Sequence, residues 1–269
     1  MKVTKGHFNR KVLFFGLLLF LAISLISTGF ASWIMSTGED KGSNGNIHVG
    51  TITDGSLEFG EITFVDDNKQ IIFDSLKKDT EGHIKADLSE GALYENLSIT
   101  FTTTLTPVTY VKDLSISVAI PATVKTAADN GYITMPSCCY VAGTEAISVV
   151  LIKDGQIQTL EETTGVVATI TKSADEKTYN ISITLNFGWG TEFGGKNPGI
   201  YLDEYVDGEG NKMPYTEKLN KMVAFKRMIY GLAIPANAED VKKDEYTDEA
   251  VLAYSTPLAF DILLSAVAN

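Results

Sequence analysis

The sequence has few of the residues from which catalytic and metal sites are usually built. Its 269 residues include two cysteines and three histidines, and neither His48 nor His83 has a second ligand at metal-binding spacing. The motifs His-Glu-x-x-His and Gly-x-Ser-x-Gly are absent, as is a glycine-rich loop ending in Gly-Lys-Ser/Thr. We therefore predict no catalytic residue and no resident metal, and we expect a protein that is not an enzyme.

Basic residues are scarce as well. The 22 Lys and Arg residues oppose 34 Asp and Glu residues, which gives a formal net charge of −12. A protein that binds nucleic acid through its phosphates needs a basic face, so we expect no nucleic-acid partner. The 44% hydrophobic content with 21% charged residues excludes an intrinsically disordered chain.

The first 31 residues contain no acidic residue and have the order of a secretory signal peptide. Four basic residues precede an apolar run from Val12 to Ile26, and small residues follow it. We predict a signal peptide over residues 1–31, cut by a signal peptidase between Ala31 and Ser32. A run counted to Ile34 is also about long enough to remain as a membrane anchor, so this alternative stays open. In both cases we expect the rest of the chain to be secreted or on the cell surface.

Residues 32–50 are rich in Gly, Ser and Asn, which predicts a flexible N-terminal arm. From residue 51 to residue 269, short runs alternate apolar and polar residues and are separated by turn residues. A period of two is typical of strands with one buried face. We therefore predict one all-β domain over 51–269, an antiparallel jelly-roll or Greek-key sandwich.

Two turns and one helix are predicted inside this domain. Lys153-Asp154-Gly155 is typical of a hairpin in which Gly155 takes a positive φ, and a polar turn over 173–177 joins two alternating runs. Residues 216–230 have helical spacing, with Thr216 as the N-cap and Gly231 just past the end. Four basic residues lie there and Lys212 shortly before, either as a solvated helix face or as a docking surface for an acidic partner, such as a second copy.

The segment from Gly188 to Lys212 is predicted to be a long surface loop. Its glycines favour a bend with close backbone approaches over a phosphate cradle. Its aromatic side chains are suited to stacking on sugars, which makes a surface-attached glycan- or protein-binding module the alternative function. These candidate binding residues are Trp189, Phe193, Tyr201 and Tyr205.

Calcium is the one cofactor to which the sequence gives any support. Asp203, Asp207 and Glu209 offer oxygen ligands beside turn-forming glycines, but their spacing does not match the EF-hand pattern. An acidic hairpin loop is the simpler interpretation. The adjacent Cys138 and Cys139 are too few for a four-ligand zinc site. A strained vicinal disulfide, two free thiols and pairing with another chain all remain open, with buried small side chains as the simplest reading.

The stretch from Leu25 to Trp33, followed by Ser36–Asp40, a Gly/Asn stretch and Val49-Gly50-Thr51, resembles the start of the TasA/camelysin-like secreted proteins of Gram-positive bacteria. Their signal peptide is of the SipW type, and the likeness covers about the first sixty residues. The resemblance implies a jelly-roll protein that forms extracellular biofilm-matrix fibres when the freed N-terminal segment pairs with a neighbour's sheet. Ile34-Met35 departs from the family pattern, and no metal motif supports the protease activity described for camelysin.

The sequence thus predicts a secreted, non-enzymatic structural protein whose main partner is itself. An extended N-terminal segment can supply the strand that an open sheet edge lacks, and its candidate residues are Ile47, Val49 and Thr51. A secreted hydrolase built on pairs of acidic residues is a third, weaker possibility, because one fold can host many chemistries.

Overall fold

Alternating apolar and polar residues form strands along most of the chain that the structure describes. The structure, a computed structural model, describes residues 47–53, 56–73, 76–78, 84–86, 95–232, 247–254 and 256–268. All of them belong to one compact unit, Gly42–Asn269. The predicted signal peptide, the cleavage position between Ala31 and Ser32, and the predicted arm as far as residue 46 lie outside the described residues.

The elements are numbered in chain order within these described residues. The strands are β1 (His48–Thr53), β2 (Glu58–Phe59), β3 (Thr63–Phe64), β4 (Leu76–Lys78), β5 (Ile84–Ala86), β6 (Ser98–Thr106), β7 (Val111–Ile120), β8 (Ile133–Thr134), β9 (Cys139–Val141), β10 (Val149–Lys153), β11 (Gln156–Ile157), β12 (Val166–Lys172), β13 (Tyr179–Asn186), β14 (Gly188–Trp189) and β15 (Asp261–Ala268). The α-helices are α1 (Ala122–Asp129), α2 (Pro198–Glu204), α3 (Tyr215–Tyr230) and α4 (Asp248–Ala253).

Two larger sheets organise the fold. The first sheet has the strand order β1-β15-β7-β10-β11, and β9 also pairs with β7. The second has the order β12-β13-β6-β2, and β3 also pairs with β6. Most neighbours are antiparallel, but β1 runs parallel to β15 and β9 parallel to β7. The described part of the chain is predominantly β, so the predicted all-β antiparallel domain is confirmed in part; β1 and β9 pair in parallel with their neighbours, and the chain returns from β7 to β9 through α1.

The two sheets bury their inner faces in one apolar core. Alternate residues of β6, β13 and β15 are buried, and β7 buries every residue from Ile116 to Ile120. Side chains from both sheets belong to the same buried cluster, which includes Phe101, Ile116, Ile183 and Leu264. The period of two in the sequence therefore identified the buried positions of β6, β13 and β15 correctly, but not those of β7, where Ser117 and Ala119 are buried as well.

Both predicted turns are confirmed. Ile152 faces Ile157 across the hairpin, and Gly155 has a φ of 73°. The polar turn over 173–177 joins β12 to β13, whose residues pair in register from Val166–Leu185 to Lys172–Tyr179.

The helix content is larger than the sequence predicts. The helix over 216–230 is confirmed as α3, which ends at Gly231 with a φ of 66°, but its N-cap is Pro214 instead of Thr216. The prediction of one helix is wrong, because α1, α2 and α4 also form. Each of these has eight residues or fewer, too few to display a clear helical period. None of the helices in the described ranges is long and apolar enough to cross a membrane.

The predicted flexible arm does not extend to residue 50. Ile47 is only 3% exposed, and its N–H donates to the carbonyl of Lys69 at 2.8 Å. The strand β1 then begins at His48. The sheet therefore begins within the range assigned to the arm, because alternating residues after Asn46 find a partner in β15.

Candidate functional site

The strand β1 lies at one edge of the first sheet and contains the candidate donor residues Val49 and Thr51. His48 donates its N–H to the carbonyl of Phe260 at 3.2 Å, and the register runs from His48–Asp261 to Thr53–Ala266. In a parallel pair every second residue bonds the neighbouring strand, so His48 and Gly50 bond β15, and the backbone groups of Val49 and Thr51 point away from it. No other strand in the described residues pairs with that side of β1. Among the described strands, this edge is therefore left without a partner on the side away from β15.

The strand β12 forms an edge of the second sheet. Asn186 donates its N–H to the carbonyl of Gly165 at 2.8 Å, and Ser173 donates to that of Thr178 at 2.7 Å. This alternation turns the backbone groups of Ala168 and Ile170 away from β13. The first residue of β12 is not available to a further strand, because the hydroxyl of Thr164 bonds both the N–H and the carbonyl of Val166 at 3.2 Å.

The outer face of the second sheet is lined by small polar side chains. We call it the threonine face and define it as every second residue of Ser98–Thr106 on β6, of Asn180–Asn186 on β13 and of Val167–Thr171 on β12. Every position except Val167 is Ser, Thr or Asn, and none of these positions is charged. The chain as a whole has 21% charged residues, so this face differs sharply from the average composition.

Strand register aligns these side chains in rows across the sheet. In one row Thr63, Thr102, Ser182 and Thr169 lie opposite one another. In the next row, Thr104, Asn180 and Thr171 do the same. The rows border an open groove of about 450 Å³ with the exposed Glu61 at one side.

The sequence analysis missed the threonine face. The signal was visible in part, since Ser and Thr alternate with apolar residues along β6. One strand of this kind is ordinary, because Thr is favoured in strands. The face becomes apparent only when the registers of β6, β13 and β12 are known.

Two of the four candidate sugar-binding residues lie in the core, and this corrects the predicted surface loop in its first part. Trp189 is 7% exposed and Phe193 is fully buried, while Tyr201 and Tyr205 are half-buried. The Trp189 indole N–H donates to a carboxylate oxygen of Glu95. The region folds as β14, a 3₁₀ turn and α2, because its aromatic rings pack against one another and against α3. The faces of Trp189 and Phe193 are therefore unavailable to a glycan.

The acidic loop that contains Asp207 is a hairpin closed by its own hydrogen bonds. One carboxylate oxygen of Asp207 accepts the N–H groups of Asn211 at 2.8 Å and Glu209 at 2.9 Å. The other accepts the Asn211 side-chain amide at 3.3 Å. Both carboxylate oxygens of Asp207 thus accept hydrogen bonds within the turn. In the described part of the chain, no group of three or more His, Cys, Asp or Glu residues is arranged to hold a metal. Asp203 lies in α2, and the structure describes nothing of its side chain.

We expect the Asp207 carboxyl to titrate below its ordinary value of 3.8. The backbone hydrogen bond from Asn211 is the main cause of the lowered pKa, because it favours the charged form. The resulting stabilisation is present above the ordinary pKa and is lost as the pH falls through the folded pKa. Carboxyl ¹³C shifts measured against pH check this, and Asn211→Ala, which keeps the backbone donor, should raise the midpoint only in part. A wild-type midpoint at or above 3.8 contradicts the hydrogen-bonded turn.

The basic residues of α3 are only partly solvated. Lys226 is 1% exposed, and its ammonium donates to the carbonyls of Leu252 and Tyr254 at 2.8 Å. Lys221 lies 3.2 Å from Glu192 and 5.1 Å from the centre of the Tyr201 ring. The prediction of a solvated basic face is therefore wrong at Lys226 and Lys221, because these long side chains bind other elements of the same domain.

Cys138 and Cys139 are two buried free thiols in the structure. The hydrogen bond with Cys138 and then burial raise the pKa of the Cys139 thiol far above its ordinary value. A protonated, buried thiol is a poor nucleophile and a poor metal ligand. Of the alternatives left open by the sequence, the structure takes the one with two free thiols.

Comparisons with known proteins give no match to a family model, a curated protein or a solved structure.

Proposed function

We propose that this chain is a secreted, non-enzymatic structural protein of the cell surface or extracellular matrix that assembles by exchanging β1 between copies. In this proposal the signal segment exports the chain, and the exported part folds as a jelly-roll sandwich. A membrane is involved only if the signal segment stays uncleaved. The partner is a second copy of the same chain.

The position of β1 is the observation that carries the proposal. Within the described residues β1 has one strand neighbour, β15, and none of the six side chains of β1 is fully buried. By contrast, β15 buries Ile262, Leu264 and Ala266. Moving β1 together with the buried Ile47 to the β15 of another copy re-forms the same hydrogen bonds, and the Ile47 side chain of each copy then fills the core position that the other has left. Exchange of an identical element is a low-cost route to assembly.

A disulfide between β1 and β15 tests this exchange. Ile52 faces Ser265 in the parallel register. Neighbouring strands lie about 4.8 Å apart, which is within the range that a disulfide spans. We expect the oxidised double variant Ile52→Cys/Ser265→Cys, purified after export from a Gram-positive host, to remain monomeric at concentrations at which the wild type forms filaments. Sedimentation velocity and negative-stain microscopy provide the measurement.

The reduced form of the same variant is the matched control, since it has the same sequence and should recover filament formation. The native thiols are buried and unreactive, so the introduced pair alone responds to the reductant. Filaments of equal length from the oxidised variant, with the disulfide confirmed by mass spectrometry, would show that β1 is not exchanged. A wild type that stays monomeric at every concentration would overturn self-assembly itself.

A further inference from the structure

The threonine face is neutral on a protein that is otherwise strongly acidic. Its outward positions on β6, β13 and β12 have no Asp, Glu, Lys or Arg, whereas the chain has 34 acidic and 22 basic residues. Solvent-exposed sheet faces usually contain charged residues, which favour solubility and oppose unwanted association. The strand preference of Thr explains part of this composition, but it does not explain Ser182 and Asn180, since Asn is disfavoured in strands.

The chemistry of the face restricts what can bind there. Hydroxyl and amide groups both donate and accept hydrogen bonds, and most of these side chains are exposed or half-buried. Because the face offers no cationic group and Glu61 stands beside the groove, it is unsuited to phosphate, sulfate or carboxylate ligands. One exposed apolar residue, Val167, gives too little apolar surface for a lipid or an apolar protein segment.

The shape of the face suits an elongated ligand. The first row, from Thr63 through Thr102 and Ser182 to Thr169, crosses four strands in register. At about 4.8 Å between neighbouring strands, this row extends about 14 Å across the sheet. The groove is open to solvent and has about 450 Å³ of volume. A polymer with repeated hydroxyl groups can place several of them along such a row.

We propose that the threonine face binds a neutral, linear polysaccharide. The sugar hydroxyls replace water on the Thr, Ser and Asn side chains, and among the residues that line the groove only Glu61, exposed at one side, is charged. The net charge of −12 disfavours anionic polymers at the same surface. Because the face lacks aromatic rings, each domain binds weakly, and an assembly of many domains gains affinity by multivalency.

Affinity electrophoresis of the purified full-length chain tests the proposal. The probes are mixed-linkage β-glucan, galactomannan and amylose as neutral polymers, with alginate as the anionic comparison. We expect at least one neutral polymer, and not alginate, to retard the wild type. The triple variant Thr102→Val/Ser182→Ala/Thr169→Val, which removes the hydroxyls of one row, should bind that polymer about ten-fold more weakly or worse.

A matched control has the same three kinds of change at exposed positions away from the face. Thr109→Val/Thr159→Val/Ser148→Ala should bind like the wild type, and circular dichroism should show equal folding of both variants. Equal retardation of the two variants, or retardation of the wild type by alginate alone, would overturn the proposal. So would absence of retardation by every neutral probe.

A second copy is the other possible occupant of the face. If the triple variant changes the sedimentation coefficient and leaves polysaccharide retardation unchanged, the face is an interface between copies, and the polysaccharide proposal is wrong. The test is independent of β1 exchange, because the threonine face lies on the second sheet. The disulfide introduced between positions 52 and 265 lies on the first sheet and leaves the face unaltered.

Discussion

Replacing Trp189 with alanine is expected to lower the free energy of unfolding by about 3–5 kcal/mol. Its indole ring lies 5.2 Å from the centre of the Phe73 ring, 5.3 Å from that of Phe225 and 5.8 Å from that of Phe193. Its N–H also donates to Glu95. Truncation leaves a large cavity between β14 and α3 and removes one of the hydrogen-bond donors to the half-buried Glu95 carboxylate, to which Asn197 also donates at 2.9 Å. Urea denaturation followed by far-ultraviolet circular dichroism measures the change.

Two further variants separate the causes of this loss. Trp189→Phe keeps most of the ring packing and removes the N–H donor, so its loss should be about 1–2 kcal/mol. Tyr205→Ala removes a half-buried ring at the rim of the same region and should cost about 1 kcal/mol. A Trp189→Ala protein within 1 kcal/mol of the wild type would mean that the ring lies outside the core, as a glycan-stacking role requires.

The local part of the fold is predictable from the sequence, because local pairing leaves local signals. The hairpin at Gly155 needs a residue that accepts positive φ, and the turn over 173–177 places two alternating runs beside each other. Each of these features involves partners only a few residues apart. The same holds for α3, whose apolar spacing and terminal Gly231 lie within one stretch of chain.

The rest of the fold depends on contacts between distant residues, which alternation cannot specify. The pairing of His48 with Asp261 joins strands far apart in the sequence. Because the partner strand is unknown at that stage, the sequence predicts a flexible arm where β1 begins. The burial of Phe193 likewise depends on α3, because the segment around it has no regular period. An aromatic residue in a glycine-rich stretch is therefore equally compatible with a surface loop and a core.

The candidate sites likewise combine features that are local in the sequence with contacts between distant strands. Period two along β6 predicts that Thr102 points away from the core, but only the registers with β13 and β12 place Ser182 and Thr169 in the same row. The alternation along β1 likewise indicates a strand and leaves open which edge it occupies. The polar face and the exchangeable strand are thus products of topology, and their physical basis is cross-strand alignment.

Gly190 lies between the two buried aromatic residues Trp189 and Phe193, and its substitution is expected to have the second large effect on stability. Gly190→Ala is expected to lower the free energy of unfolding by about 3 kcal/mol. Its backbone has a φ of −90°, which any residue can adopt, so the cost is steric. A Cβ atom there would lie 2.1 Å from the carbonyl oxygen of Gly131 and 2.9 Å from the backbone nitrogen of Ile133. Backbone atoms cannot rotate away, so β14 and β8 would have to separate.

Gly208→Ala is the matched control for this substitution, because a Cβ atom at Gly208 meets no atom within 4 Å. Its stability should stay within about 0.5 kcal/mol of the wild type. Hydrogen exchange locates the damage, since separation of β14 from β8 breaks the bond from the Gly190 N–H to the Tyr132 carbonyl, which is 2.8 Å long. Faster exchange of the amide at position 190 in Gly190→Ala, with no such change around that position in Gly208→Ala, supports the close backbone approach. Equal stability of the two variants would mean that the strands are not held this closely, and the buried position of Trp189 would then lose its structural cause.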